Sequence, residues 1–251
     1  MTALHPRPVV LVTGSATGVG RACAVRFATE GFDVVINYSK SEAEAHETAS
    51  LVEATGQRSL TVACDISDDA AVGRMMQLVK STWGRLDVVV NNAGCTHFID
   101  HQNLDGLTED MWDRILGVNL KGPFFVTRAA VPLLRQSAQA AIVNISSVAG
   151  MAGLGSSIAY CASKGGLNTM TRSLARALAP SIRVNAVCPG PIDTRWLHQW
   201  KSDEQIAEMT ADYPIPRASL PDDIADAVWY LACQTKMTTG QCLVLDGGRT
   251  M

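Results

Sequence analysis

Tyr160 and Lys164 stand four residues apart in a stretch of helical period over 159–178, which puts both side chains on one helix face. A free phenol ionises at about pH 10, too high to trade protons at neutral pH unless a neighbouring cation favours the phenolate. Lys164 is such a cation. Ser147, at the end of the fifth predicted strand, offers a hydroxyl that could hold the oxygen receiving or giving up that proton. Each residue also has a plainer reading. A tyrosine four before a lysine is common on helix surfaces, Ser147 alone serves equally as a cap or turn residue, and Asn119 alone as a turn or interrupted-helix residue.

A second group points to a bound anion. Thr13-Gly14-Ser15-Ala16-Thr17-Gly18-Val19-Gly20 follows the first predicted strand and opens a helix. Glycines there let the backbone bend sharply and approach a pyrophosphate, whose charge is attracted by free amides and the positive helix end. The turn alone reads equally as a tight strand-to-helix connection. Its first two glycines are separated by three residues, where the usual dinucleotide fingerprint has one.

The elements that must position these groups alternate along the chain. Short β-branched runs predict seven strands at 9–13, 34–37, 59–64, 86–91, 141–146, 182–187 and 242–245. Helical periodicity lies between them at 20–30, 42–55, 69–83, 108–134, 159–178 and 221–232. Strands apolar on both faces and joined by helices predict an α/β fold of Rossmann type, a doubly wound seven-stranded parallel sheet with helices on both faces. Ligand sites then lie at the carboxyl ends of the strands. No linker or repeat interrupts 1–251, which reads as one domain. The segment 189–220 has no strong pattern but carries Trp196, Trp200, Met209 and Tyr213 among prolines, as substrate lids often do.

Composition narrows the function. With 251 residues, 47% hydrophobic and 18% charged, the chain can bury a sizeable core. A net charge of -3 with no basic block argues against nucleic-acid binding. Residues 1–8 lack the apolar core of a signal peptide and no apolar run is long enough to span a bilayer, so a cytoplasmic location without membrane attachment is expected. The seven cysteines include no Cys-x-x-Cys pair, and neither a disulfide framework nor a metal site is expected. Cys95 and Cys161, beside the motifs, read as packing residues. His97 and His101 read as loop histidines that border the pocket or face solvent.

Taken in order, the motifs resemble those of the short-chain dehydrogenase/reductase family. They are the Thr-Gly-x-x-x-Gly-x-Gly turn, Asp65, Asn91-Asn92-Ala93-Gly94, Asn119, Ser147 thirteen residues before Tyr160, Tyr160-x-x-x-Lys164, and Pro189-Gly190. The resemblance covers essentially the whole chain. It implies an NAD(P)(H)-dependent oxidoreductase that moves a hydride between a nicotinamide cofactor and a carbonyl/alcohol pair. Tyr160 would be general acid in reduction and general base in oxidation, and Ser147 would hold the substrate oxygen. Lys164 would also bind the nicotinamide ribose, and Asn119 a water linking Lys164 to solvent. The glycine turn, through Gly14, Ser15, Thr17, Gly18, Val19 and Gly20, would cradle the pyrophosphate. Asp65 and Ile66 would meet the adenine, Asn91, Ala93 and Gly94 would flank the adenosine ribose, and Asn92 would tie neighbouring strands. Pro189, Gly190, Ile192 and Thr194 would lie along the nicotinamide, with Ile192 and Thr194 at its carboxamide.

The end of the second strand, Tyr38-Ser39-Lys40, has no carboxylate for a ribose diol, and Lys40 with the serine hydroxyls could accept a 2′-phosphate. NADP(H) is therefore expected over NAD(H), although the arginine usual in the family is absent here and at Thr17. The nearest members by resemblance are 3-oxoacyl-thioester reductases and sugar or polyol dehydrogenases, with reduction of a 3-oxoacyl or other small carbonyl the first reading. The stretches 137–141 and 179–181 lack the basic residues that dock an acyl carrier, leaving Arg128, Arg135 and Arg172. Trp196, His198 and Trp200 would cover a substrate or pack the lid down. A non-catalytic dinucleotide sensor or scaffold is the alternative of another class. The resemblance further implies a homotetramer paired through 108–134, 159–178 and the last strand.

Overall fold

The computed structural model describes residues 7–251, so the reading of 1–8 as free of a leader falls mostly outside the described residues. The strands are β1 (Val9–Val12), β2 (Asp33–Tyr38), β3 (Ser59–Ala63), β4 (Val88–Asn91), β5 (Ala140–Ile145), β6 (Ile182–Pro189) and β7 (Cys242–Leu245). They form one parallel seven-stranded sheet in the order β3-β2-β1-β4-β5-β6-β7. Helices α1 (Gly18–Thr29), α2 (Glu42–Glu53), α3 (Asp69–Trp83), α4 (Glu109–Leu116), α5 (Gly122–Leu134), α6 (Ala149–Ala152), α7 (Ile158–Leu178), α8 (Arg195–His198), α9 (Asp203–Thr210) and α10 (Pro221–Trp229) complete it.

Successive strand side chains leave opposite faces, and this alternation makes two core layers. Val10, Val12, Val34, Ile36 and Val90 pack on Phe27 of α1 and on Ile224 and Val228 of α10. Leu11, Val35, Val89 and Ile142 pack on Met75 of α3 and Leu133 of α5. The chain runs outward from β1 to β3 and then crosses back to β4, on the other side of β1. Connections after β1 and β4 therefore leave toward opposite layers, and a crevice opens between them at the carboxyl edge.

The single helix expected over 108–134 is divided by a π turn, Gly117–Lys121, between α4 and α5. Just after it, Gly122 lies so close to Ile66 that a Cβ there would come within 2.7 Å of the isoleucine Cδ1. A second π turn, Tyr230–Gln234, ends the helix expected over 221–232. The segment 189–220 is also more regular than its composition suggests, since it contains α8 and α9. Ser202 and Gln205 form a capping box at the start of α9, the Ser-x-x-Gln signal that marks a helix start. Among the described residues no helix is long and apolar enough to cross a membrane.

Candidate active site

The crevice between β1 and β4 encloses about 660 Å³ and runs from Ser39 and Lys40 to Ser147, Tyr160 and Lys164. Its floor is the glycine turn. Gly14 and Gly18 hold φ of +62° and +55°, a left-handed backbone that glycine adopts without strain. At Gly20 a Cβ would sit 2.4 Å from the Gly14 carbonyl oxygen and 2.5 Å from Asn92 Nδ2, so only glycine lets α1 close on the turn. Asn92 donates to the carbonyls of Thr13 at 2.9 Å and Gly14 at 3.0 Å, which ties the end of β4 to the turn. Helix α1 begins after Thr17, which gives no side-chain cap, and, like α5, α6, α7 and α8, it has no acid in its first turn. The protein leaves the positive end of α1 without a negative partner, facing the crevice.

Ser39, Lys40, Asp65, Ile66, Ala93 and Gly94 line the crevice, together with Thr17, Val19, Pro189, Gly190, Ile192 and Thr194. Three residues expected there lie elsewhere. Ser15 is buried, donating to the Val12 carbonyl at 2.8 Å and accepting from the Asn37 amide at 3.1 Å. Tyr38 turns away, and its hydroxyl donates to Glu42 at 3.1 Å. Asn91 points into the layer beneath and donates to Asn144 Oδ1 at 2.9 Å. Side-chain alternation at the ends of β2 and β4 sends Tyr38 and Asn91 away, and Ser15 is turned inward by its bonds to β1 and β2.

Two polar residues were missed by sequence reading. Asn37 accepts from the Gly14 amide at 3.2 Å and donates to the Cys64 carbonyl at 3.0 Å, bracing the turn from β2. Arg114, from α4, lines the crevice and pairs with Asp65 at 2.7 Å. Burial pushes the Asp65 carboxyl up, but bonds from Ser67 and the Arg114 guanidinium outweigh it and hold it below the usual range.

At the other end, Ser146 and Ser147 separate cleanly. Ser146 is buried and donates to the Lys164 carbonyl at 3.2 Å, while Ser147 faces the crevice. Ser157 caps α7 by accepting from the Tyr160 amide at 3.3 Å. A Cβ on Gly150 would meet the Lys164 carbonyl carbon at 2.5 Å, so α6 packs straight onto the turn of α7 that carries the lysine. Lys164 is buried, donates to the Ile145 carbonyl at 2.7 Å, and lies 5.7 Å from the centre of the Tyr160 ring. Asn119, in the π turn, accepts from the Cys95 amide at 2.8 Å and donates to the Cys95 carbonyl at 2.9 Å and Ser163 Oγ at 3.1 Å. These bonds pin the loop after β4 to α7.

The charge expected to favour the phenolate, that of Lys164 together with an oxidised nicotinamide ring, is opposed by burial. Burial raises Tyr160 to about 12, with the Ser147 hydroxyl acting in the other direction. Burial lowers Lys164 to about 8. Burial thus favours the protonated phenol, the form that can donate a proton to a substrate oxygen.

A second cavity of about 690 Å³ meets the crevice at Ser147 and Tyr160. Phe98, Leu154, Trp196, Leu197, Trp200 and Met209 are among its walls. His101 borders it and approaches the Gly155 carbonyl at 3.2 Å, and His97 lines the crevice instead. His198 lines neither, bridging Asp193 at 2.6 Å and Asp203 at 3.2 Å.

Residues 14–250 match a family model described as enoyl-(acyl carrier protein) reductase. The chain is 42% identical over 242 residues to a Streptomyces violaceoruber protein named as ketoacyl reductase 2 of the granaticin polyketide synthase, covering 96% of this chain and 95% of that one. It is 37% identical over 243 residues to the 3-oxoacyl-[acyl-carrier-protein] reductase FabG of Staphylococcus aureus, covering 96% and 97%. A crystal structure from Burkholderia xenovorans, described as a short-chain dehydrogenase/reductase, superposes with a TM-score of 0.91 at 40% identity over 98% of each chain.

Proposed function

The chain belongs to the short-chain dehydrogenase/reductase family of oxidoreductases, and on that premise we propose that it reduces the carbonyl of a 3-oxoacyl thioester or related ketone at the expense of NADPH. One observation carries this reading: Ser147 and Tyr160 belong to both cavities, so a single proton donor faces the nucleotide crevice on one side and an apolar-walled space on the other.

The crevice suits a dinucleotide. Gly14, Gly18 and Gly20, with the uncapped start of α1, would take the pyrophosphate, and Asp65 with Ile66 the adenine. Lys40 and Ser39 would take a 2′-phosphate, which supports NADP(H) over NAD(H). Ile192 and Thr194 would hold the carboxamide end. When bound, the nicotinamide supplies the hydrogen and electron pair that reach the carbonyl carbon.

The chain's own residues do the rest. Ser147 donates a hydrogen bond to the substrate oxygen and orients it, and Tyr160 passes its phenolic proton to that oxygen as negative charge builds there. Lys164, whose ammonium lies beneath the ring, favours the phenolate that results. Asn119 keeps the loop after β4 against α7, so Lys164 and Tyr160 hold their spacing. The segment 189–220, with α8 and α9, is the lid over the substrate. The proposal extends to a homotetramer joined through α4 and α5, α7 and β7; β7 is an edge strand whose four residues, Cys-Leu-Val-Leu, stay only half-buried.

The test is a coupled product assay. NADPH consumption should match formation of a 3-hydroxyacyl thioester from 3-oxobutanoyl N-acetylcysteamine, and NADH should serve less well. No turnover across a broad set of thioesters, ketones and sugars would leave the chain as a dinucleotide-binding protein without chemistry.

A further inference from the structure

The walls of the second cavity say more about the substrate than its size does. Trp196 stands edge-on to the Tyr160 ring, with centroids 6.2 Å apart and planes at 84°, so it is a wall beside the proton donor. Phe98, from the loop after β4, stacks on Trp200, from the segment after β6, at 4.8 Å and 22°. That pair bridges the two loops across the cavity. Phe98, Trp196 and Trp200 nevertheless keep 38%, 39% and 48% of their surface exposed. Three large aromatic side chains gathered around one cavity and left this open are characteristic of a ligand site, because their burial is still to be completed. Aliphatic walls would accept any apolar chain, whereas aromatic walls favour another π face or edge.

Resting on the carbonyl-reductase reading, we propose that the natural substrate carries a flat, unsaturated ring beside the reducible carbonyl, held against Trp196 and the Phe98–Trp200 pair. A puckered ring of equal size would lose the aromatic contact while keeping its apolar area.

The experiment compares two thioesters that differ only in this respect, the N-acetylcysteamine esters of 3-oxo-4-phenylbutanoate and 3-oxo-4-cyclohexylbutanoate. In both, a methylene keeps the ring out of conjugation with the ketone, and the comparison of wild type with variants cancels the inductive effect of phenyl that remains. The wild-type protein should prefer the phenyl substrate in kcat/KM by about threefold to tenfold, the range expected of one or two aromatic contacts. The ratio should fall toward one in Trp196→Leu and in Phe98→Leu, which lies on a different loop. A wild-type ratio of one or below, or a ratio that neither variant changes, overturns the proposal while leaving the carbonyl-reductase reading intact. Failure of the wild-type protein to reduce either ester or any simpler ketone would overturn that reading, and the proposal with it.

Discussion

On one side of Tyr160 the ligand-facing surface is mostly backbone, held by Gly14, Gly18 and Gly20 and braced by the amides of Asn37 and Asn92. On the other side it is mostly side chain, from Phe98, Leu154, Trp196 and Trp200 on loops and a short helix. The turn beneath the crevice is tightly packed, since an added Cβ at Gly20 would collide at 2.4 Å with the Gly14 carbonyl oxygen. The side-chain-built cavity keeps its large groups exposed, 60% in the case of Leu154. A site that recognises a constant group such as pyrophosphate can be made from atoms every residue has. A site that chooses among carbonyl compounds must be made from side chains that the fold can do without.

Substitutions of similar size should expose that contrast. Gly20→Ala forces the turn or Asn92 to move, and is expected to cost about 1–3 kcal/mol of stability and to weaken NADPH binding by at least about tenfold. Leu154→Ala, at an exposed wall, should stay within about 0.5 kcal/mol of wild type. Denaturant unfolding with a cofactor titration measures both, and equal stability losses would erase the distinction between the two sides.

The pH dependence comes next in size. Burial favours the neutral amine, so the Lys164 ammonium is present below about pH 8 and lost above it. Reduction should be level near neutrality and then fall toward about tenfold per pH unit above that value. Stability should move oppositely: between about 8 and the ordinary lysine value of 10.5 the unfolded chain binds the proton better, so this group's contribution favours folding as pH rises. A rate that climbs through that window would contradict the role given to Lys164. The smallest effect is expected at Lys40, where Lys40→Ala should raise KM for NADPH by about threefold to tenfold and leave NADH unchanged; parallel changes with both cofactors would remove Lys40 from the 2′-phosphate.

Much of the backbone-built side was legible in the sequence. The β-branched runs located every strand within about two residues, because a strand buried on both faces leaves little else to choose. The spacing of Tyr160 and Lys164 translated directly into one helix face, and the turn 13–20 into a glycine-dependent cradle. What stayed hidden depends on direction or on distant packing. Ser15, Tyr38 and Asn91 sit at the right places in the chain but point away from the crevice. The π turn around Asn119 interrupts a stretch of unbroken helical period, and Arg114 reaches Asp65 only once α4 is folded beside it. The burial that raises the Tyr160 phenol is equally invisible, because a nearby lysine can be seen in the sequence and desolvation cannot. The capping box at Ser202 and Gln205 is different, a local signal that was there to be found.

The account rests on the phenolic proton of Tyr160, and Tyr160→Phe removes that hydroxyl while keeping the ring against Trp196. Measured by single-turnover reduction alongside a cofactor titration, the variant should bind NADPH as the wild type does and reduce substrate at least about a hundredfold more slowly. Turnover within about tenfold of wild type, at unchanged affinity, would show that the proton comes from another group and would contradict the mechanism.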